Sequence, residues 1–170
     1  MFQQVPQPMG SRTTVILMFD KRYYVPILKW KKGERIALEN LFEEQKSAIS
    51  PLLELVDDDD SSELFESIIP HLNHYPIYVD TKNSDNGNGE PLLDIIKAQS
   101  KVATKNAIYP VLYPDDFPEY ADQFVGHTDK ILVRIPVPED LEGDDQGEIF
   151  KKISQWQTKN GLQIDILLDL

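Results

Sequence analysis

Apolar positions along this chain switch between two spacings. Short continuous apolar runs alternate with stretches in which apolar residues recur roughly every three to four positions, the patterns of buried strands and amphipathic helices. The first run is Tyr23 to Trp30. Gly33 breaks it, and Leu38, Leu41, Phe42 and Ile49 then predict one face of a helix over 34–49. Pro51 to Val56 reads as a second strand, followed by an acidic run at Asp57–Asp60 and a helix bearing Leu64, Phe65, Ile68 and Leu72. Asp60 stands three residues before Glu63 in a capping arrangement, and Pro70 is expected to end or kink that helix.

The remaining units repeat this alternation. Pro76 to Asp80 is the third strand. The turn-rich loop 82–89 follows it, and then a helix opens near Pro91 and carries Leu92, Ile95, Ile96 and Val102. The fourth strand is Ala107–Tyr113, with a short helix grouping Tyr120, Ala121, Phe124 and Val125 behind it. The fifth is Lys130–Ile135, followed by an acidic loop over 136–147. A helix with Ile149, Phe150, Ile153 and Trp156 then ends at Asn160-Gly161, ahead of a sixth strand at Gln163–Asp169.

Units of about 30 residues that pair one strand with one helix imply a mostly parallel sheet, because each helix must carry the chain back to the starting end. Runs such as ILK, PLLEL and ILLDL read as apolar on both faces, as strands under helices should be. Neither GxGxxG nor GxxxxGK[ST] follows the first strand, which argues against dinucleotide-binding and P-loop variants. The predicted fold class is therefore α/β, a TIM-barrel-like (β/α) barrel. About six units are present, so the barrel is incomplete, since closure usually takes roughly 200 or more residues. Residues 23–170 form the expected partial barrel. Residues 1–22 form a leader in which Thr13–Phe19 is either an extra strand or a plug. The missing units are expected from a fragment's lost remainder or from a partner, unless the sheet is open. Exposed sheet edges favour a self-associated or partner-bound state.

Charge and composition narrow the function classes. Asp and Glu number 29 against 17 Lys and Arg, a net charge of −12. Phosphate neutralisation needs clustered cations, so nucleic acid is not an expected partner, and neither is an anionic membrane. A basic protein partner is permitted. Cysteine is absent, which removes disulfides, thiolate zinc sites and thiol nucleophiles and fits a cytoplasmic location. No signal peptide is visible, and the early apolar run Val15–Phe19 is far shorter than a membrane span.

Chemistry, if present, is expected where the strands end. Each apolar run closes on a polar residue: Lys29, Glu54, Asp80, Tyr113, Arg134 and Asp169. In a parallel barrel the carboxyl ends of the strands converge on one mouth, so these six are the ligand-binding candidates. Two readings follow. Glu54, Asp80 and Asp169 can hold Mg²⁺ while Lys29 and Arg134 bind a phosphate or carboxylate. Alternatively, the six form a salt-bridge ring that fills the barrel top. No catalytic residue is assigned and no metal site or cofactor is expected outside the first reading.

Other motifs are weaker. His71 and His74 fit an exposed helix end, and His127 precedes the fifth strand at the end opposite the mouth. GxSxG is missing. Asp85–Glu90 lacks the twelve-residue spacing of a calcium loop. Lys29-Trp30-Lys31-Lys32 is a basic–aromatic cluster, either a contact for an anion or partner or a solvated loop.

The first unit carries a resemblance. Tyr24–Glu34 (YVPILKWKKGE), followed by Ala37-Leu38, resembles the opening of the beta protein family of bacteriophages and bacterial genomes. Ser50–Leu55, Leu132–Ile135 and Ile166–Leu170 are similar to its later strands. The resemblance implies a longer barrel-like protein and a phage or mobile-element setting. It implies no reaction and no catalytic residues. The expected function is thus a phage- or mobile-element-associated barrel-like protein acting through a protein partner or self-association. The alternative is a metal-assisted hydrolase with a phosphorylated or nucleotide-like substrate at the mouth.

Overall fold

The computed structural model describes residues 24–55, 76–82, 90–101, 108–117, 119–137 and 146–169. The leader, the helix expected around 63–72 with His71 and His74, and most of the loop at 82–89 lie outside the described residues, as do Val102 and the body of the acidic loop.

Six strands form one sheet: β1 (Ile27–Lys29), β2 (Leu52–Glu54), β3 (Ile77–Asp80), β4 (Ile108–Leu112), β5 (Lys130–Pro136) and β6 (Gln163–Asp169). Their spatial order is their chain order, and every neighbouring pair is parallel. A doubly wound sheet reverses its strand order and puts helices on both faces. Monotonic order is compatible with crossovers on one side, where the described helices pack, and leaves the other face to curl inward.

Two side-chain contacts demonstrate the curl. Arg134 on β5 meets Glu54 on β2 at 2.6 Å, and Tyr78 on β3 meets Asp165 on β6 at 2.7 Å. In a flat sheet, positions three strands apart stand roughly 14 Å from one another. Side chains that rise from the same face can then meet only if that face is concave.

The convex face holds the larger core. Leu53, Ile77, Val79, Ile131, Val133 and Ile135 are fully buried there. They lie beneath α1 (Lys32–Glu39) and α3 (Glu90–Lys101), the 3₁₀ turn Ala121–Phe124, and α4 (Gln146–Asn160). The predicted stripe on α3 is present, with Leu92, Ile95 and Ile96 buried. Trp156 of α4 stacks edge-on against Phe117 at 5.3 Å and donates from its indole nitrogen to Asp122 at 2.7 Å. Gly161 ends α4 with φ of 73°, the left-handed conformation that glycine adopts without a Cβ clash. The concave face holds a smaller core of Leu52, Tyr78, Val111 and Leu132.

Several expectations need correction. The helix predicted over 34–49 is two helices, α1 and α2 (Glu43–Ser47). Asn40 folds its side-chain amide back onto the Ile36 carbonyl at 2.8 Å, and Gln45 accepts the Phe42 N–H at 3.0 Å, so local capping bonds stop one helix and start the next. Phe42 consequently points out, 75% exposed, instead of joining Leu38. Val125 is likewise exposed, because the short 3₁₀ turn buries only Ala121 and Phe124. Trp30 leaves its basic neighbours and enters the convex core, with the Arg35 guanidinium 5.4 Å above its ring. The expectation that runs such as ILK, PLLEL and ILLDL are covered on both faces fails at both edge strands: no residue of β1 is fully buried, and the outer side of β6 is open. Ile164 packs on the convex core, but Ile166 and Leu168, which share its face, are 44% and 49% exposed.

This contrast sets the first prediction. Leu53→Ala should cost about 2–5 kcal/mol in urea unfolding, whereas Leu168→Ala should stay within about 0.5 kcal/mol. Equal losses would mean that the outer face of β6 is buried in the isolated chain.

Candidate functional site

Side chains alternate along a strand, so parallel strands in register present every second residue to the concave face. Lys29, Glu54 and Asp80 end β1, β2 and β3 side by side, because Lys29 is in register with Glu54 and Glu54 with Asp80. Tyr113 follows β4, Arg134 lies on β5 and Asp169 ends β6. All six occupy the carboxyl end of the sheet.

Five of the six join one network. The Arg134 Nη1 donates to Glu54 at 2.6 Å and to Asp80 at 2.8 Å. Its Nε donates to Asp169 at 2.9 Å, and its Nη2 to the same carboxylate oxygen. Tyr113 donates its hydroxyl to Asp80 at 2.7 Å. Asp80 is only 1% exposed, and its other oxygen accepts the Lys82 backbone N–H at 3.0 Å. Every acceptor of this buried carboxylate is therefore engaged, as burial of a charge requires. Lys29 is the exception: it sits beside Glu54 but is exposed and makes no ion pair among the described residues.

Burial opposes the charge on Arg134, but its hydrogen bonds to Glu54, Asp169 and Asp80 outweigh it and raise its pKa further. Burial and the adjacent Asp80 charge push Tyr113 far above the ordinary tyrosine range. A phenol held this way is neither a base nor a ready acid at neutral pH. The gap beside Asp80, Tyr113 and Asp116 measures about 20 Å³, room for one water. No group of three or more His, Cys, Asp or Glu residues is placed to hold a metal among the described residues. The mouth carboxylates converge on a guanidinium instead.

Two features escaped the strand-end reading. Lys82 places its ammonium 3.6 Å from the Tyr113 ring centroid, on a residue that the sequence pattern marks only as loop. A second polar cluster lies at the amino end of the concave face. There Asp165 accepts from Tyr78 at 2.7 Å, Lys130 at 3.0 Å and Gln163 at 2.8 Å. Lys130 also lies 5.2 Å from the Tyr109 ring, which tilts against Tyr78 at 5.8 Å. Although burial works against it, the Asp165 carboxyl is held below its ordinary value by the bonds from Tyr78, Gln163 and Lys130. The signal was in the strands: Tyr109/Tyr113, Lys130/Arg134 and Asp165/Asp169 repeat at i and i+4, which puts both members on one face.

A protein-family model described as Beta protein matches residues 24–170. No curated protein and no solved structure matches the chain. No helix among the described residues is long and apolar enough to cross a membrane.

Two predictions follow from the geometry. Arg134→Met leaves three carboxylates facing one another without their cation, and should cost about 3–5 kcal/mol in urea unfolding at neutral pH. Little change would mean that the network is not formed. Asp165 has a folded pKa below its ordinary value of 3.8. Its contribution is therefore whole above that value and is lost as pH falls through the lower folded pKa. The stability difference between wild type and Asp165→Asn, measured by urea unfolding across an acid series, should be flat near neutrality and shrink only in strong acid. A difference that grows on acidification would contradict the assignment.

Proposed function

The chain belongs to the Beta protein family, and from that premise we propose that it is a partial (β/α) barrel that works by docking a protein partner along β6, in a phage or mobile-element setting. The carrying observation is the uncovered outer face of that strand. On the interior strands the residues that face outward, such as Leu53, Val79 and Val133, are 0% exposed, whereas Ile166 and Leu168 are 44% and 49% exposed. Among the described residues β6 is also paired only on its β5 side, so a row of backbone donors and acceptors lines its other side.

Helix α4 extends the patch. Trp156 faces the preceding unit, since it touches Phe117 and Asp122. Phe150 lies six residues earlier, roughly 120° around the helix. That rotation carries it past the buried Ile153 to the flank nearer β6, where it is 39% exposed. A strand bonding to β6, followed by a helix beside α4, would cover Phe150, Ile166 and Leu168 and continue the barrel by one unit. Net charge chooses between occupants. A second copy brings another −12, which opposes close approach, whereas a neutral or basic protein does not meet that repulsion.

The mouth supports the same reading. Its carboxylates are already bonded to Arg134, its tyrosine stays protonated, and its gap admits one water. A metal-assisted hydrolase would need Glu54, Asp80 and Asp169 released from that guanidinium, so the alternative has less support.

Site-specific photocrosslinking in the producing cell tests the proposal. Benzoylphenylalanine at position 168 should capture one other protein, identified by mass spectrometry. The product should vanish when Phe150→Asp and Ile166→Asp are added. The probe at Ile36, exposed at 46% on α1, should capture nothing comparable. Capture of the chain's own sequence, equal labelling at both positions, or no product at 168 would overturn the reading.

A further inference from the structure

The concave face is layered. The mouth network occupies its carboxyl end, and the Tyr78–Lys130–Asp165 cluster its amino end. The apolar residues Leu52, Val111 and Leu132 lie between them. Beside the amino-end cluster is a cavity of about 560 Å³, bounded by Val25 from the β1 side and by Leu132 and Leu167 from β5 and β6. That volume falls in the range of small-molecule sites, whereas the gap beside Asp80 and Tyr113 has room for one water.

The polar groups on its wall are not balanced. Both oxygens of Asp165 are occupied, one by Tyr78 and Lys130 and the other by Gln163. Its accepting capacity is directed at its own neighbours. Lys130 has three N–H donors. One meets Asp165, and the ammonium makes no second ion pair among the described residues. The lysine is largely withdrawn from solvent, with 17% of its side chain exposed, so water satisfies its remaining donors only in part. The cavity therefore offers a cationic donor at one wall, the polar residues Ser50 and Gln163 beside it, and aliphatic side chains with the ring of Tyr78 over the rest.

The geometry points to a binding site for a small organic acid with an apolar or aromatic body, seated at the amino end of the concave face. Its carboxylate would accept from the Lys130 ammonium, a charge-assisted bond strengthened by partial burial. Its body would lie against Val25, Leu132 and Leu167 and replace the water there. A ligand bearing a cation would find both oxygens of Asp165 already occupied and the Lys130 ammonium beside it. An uncharged ligand would offer the free lysine donors only a neutral acceptor, a weaker bond than a carboxylate makes. Acceptor and apolar body are both required, and that requirement defines the class. Ile166 borders both the cavity and the outer patch of β6, so the two proposals are told apart at Leu168, which does not line the cavity, and at Lys130 and Leu132, which do.

Benzoate is the probe, with benzyl alcohol as the uncharged analogue of similar size. Titration of the whole chain, followed by two-dimensional amide NMR, should give saturable shifts at Val25, Tyr78, Leu132 and Leu167. The mouth residues Glu54 and Asp80 should stay unmoved. Benzyl alcohol should bind about tenfold more weakly, because its neutral oxygen exchanges a charge-assisted bond for an ordinary one. Lys130→Met should weaken benzoate to the same degree. Since that variant also leaves Asp165 without its cation, Leu132→Trp provides the independent arm: it fills the cavity, leaves the Lys130–Asp165 pair intact and should abolish the shifts. Absence of saturable shifts, shifts centred on the mouth, equal affinity for the two probes, or benzoate binding that survives Leu132→Trp would each overturn the inference.

Discussion

A guanidinium on β5 ties together strands that a flat sheet would keep apart. Arg134 reaches back across β4 and β3 to Glu54 on β2 and forward to Asp169 on β6, with Asp80 of β3 between them. The bond to Glu54, three strands away, demands a concave sheet, and the concave sheet in turn withdraws Asp80 and Arg134 from water. Curvature and charge burial are thus a single constraint. Partial burial of one cation among three anions is tolerable only where the geometry satisfies nearly every lone pair. Tyr113 and the Lys82 backbone supply the donors that Arg134 leaves unfilled.

The same logic operates a second time, lower on the concave face, with a different outcome. Tyr78 spans from β3 to β6 to meet Asp165, so the curl is held at two heights by two polar contacts of similar reach. At the mouth the arginine is ringed by the carboxylates it bonds. At the amino end the lysine stands at the edge of an open volume. The two layers are built from one strand pattern repeated four residues apart, and differ because the larger guanidinium reaches three carboxylates where the ammonium of Lys130 finds one.

The convex face has its own asymmetry. A parallel sheet buries both faces only where a helix covers each strand. Helices cover the middle of this sheet and leave Ile166 and Leu168 of β6 with solvent on their outer side. Burying apolar surface is the main favourable term in association as in folding, so the uncovered strand is where association has most to gain. The mouth, where the charges are mutually satisfied, has least.

Much of this was legible in the residues. Six apolar runs alternating with helical stripes determine a parallel α/β sheet, because a strand-helix-strand path has few other ways to bury both patterns. The polar residue closing each run marked Glu54, Asp80, Tyr113, Arg134 and Asp169, since strand direction alone puts them at one end. Period-two alternation also contained Tyr109, Lys130 and Asp165, which begin or lie within their strands and so carry no strand-end signal. What no linear pattern holds is curvature. Which carboxylates share Arg134, why Lys29 stays outside, how much room each layer encloses and which strand lacks a covering helix depend on distances between residues far apart in the chain. Those distances are set by the curled sheet as a whole. Local capping at Asn40 and Gln45 split the first helix for a related reason, as side-chain bonds a few residues long outcompeted a continuous apolar stripe. Sequence determined which groups face inward and in what order; only the tertiary structure decided which of them touch, because contact depends on curvature and curvature is a property of all six strands together.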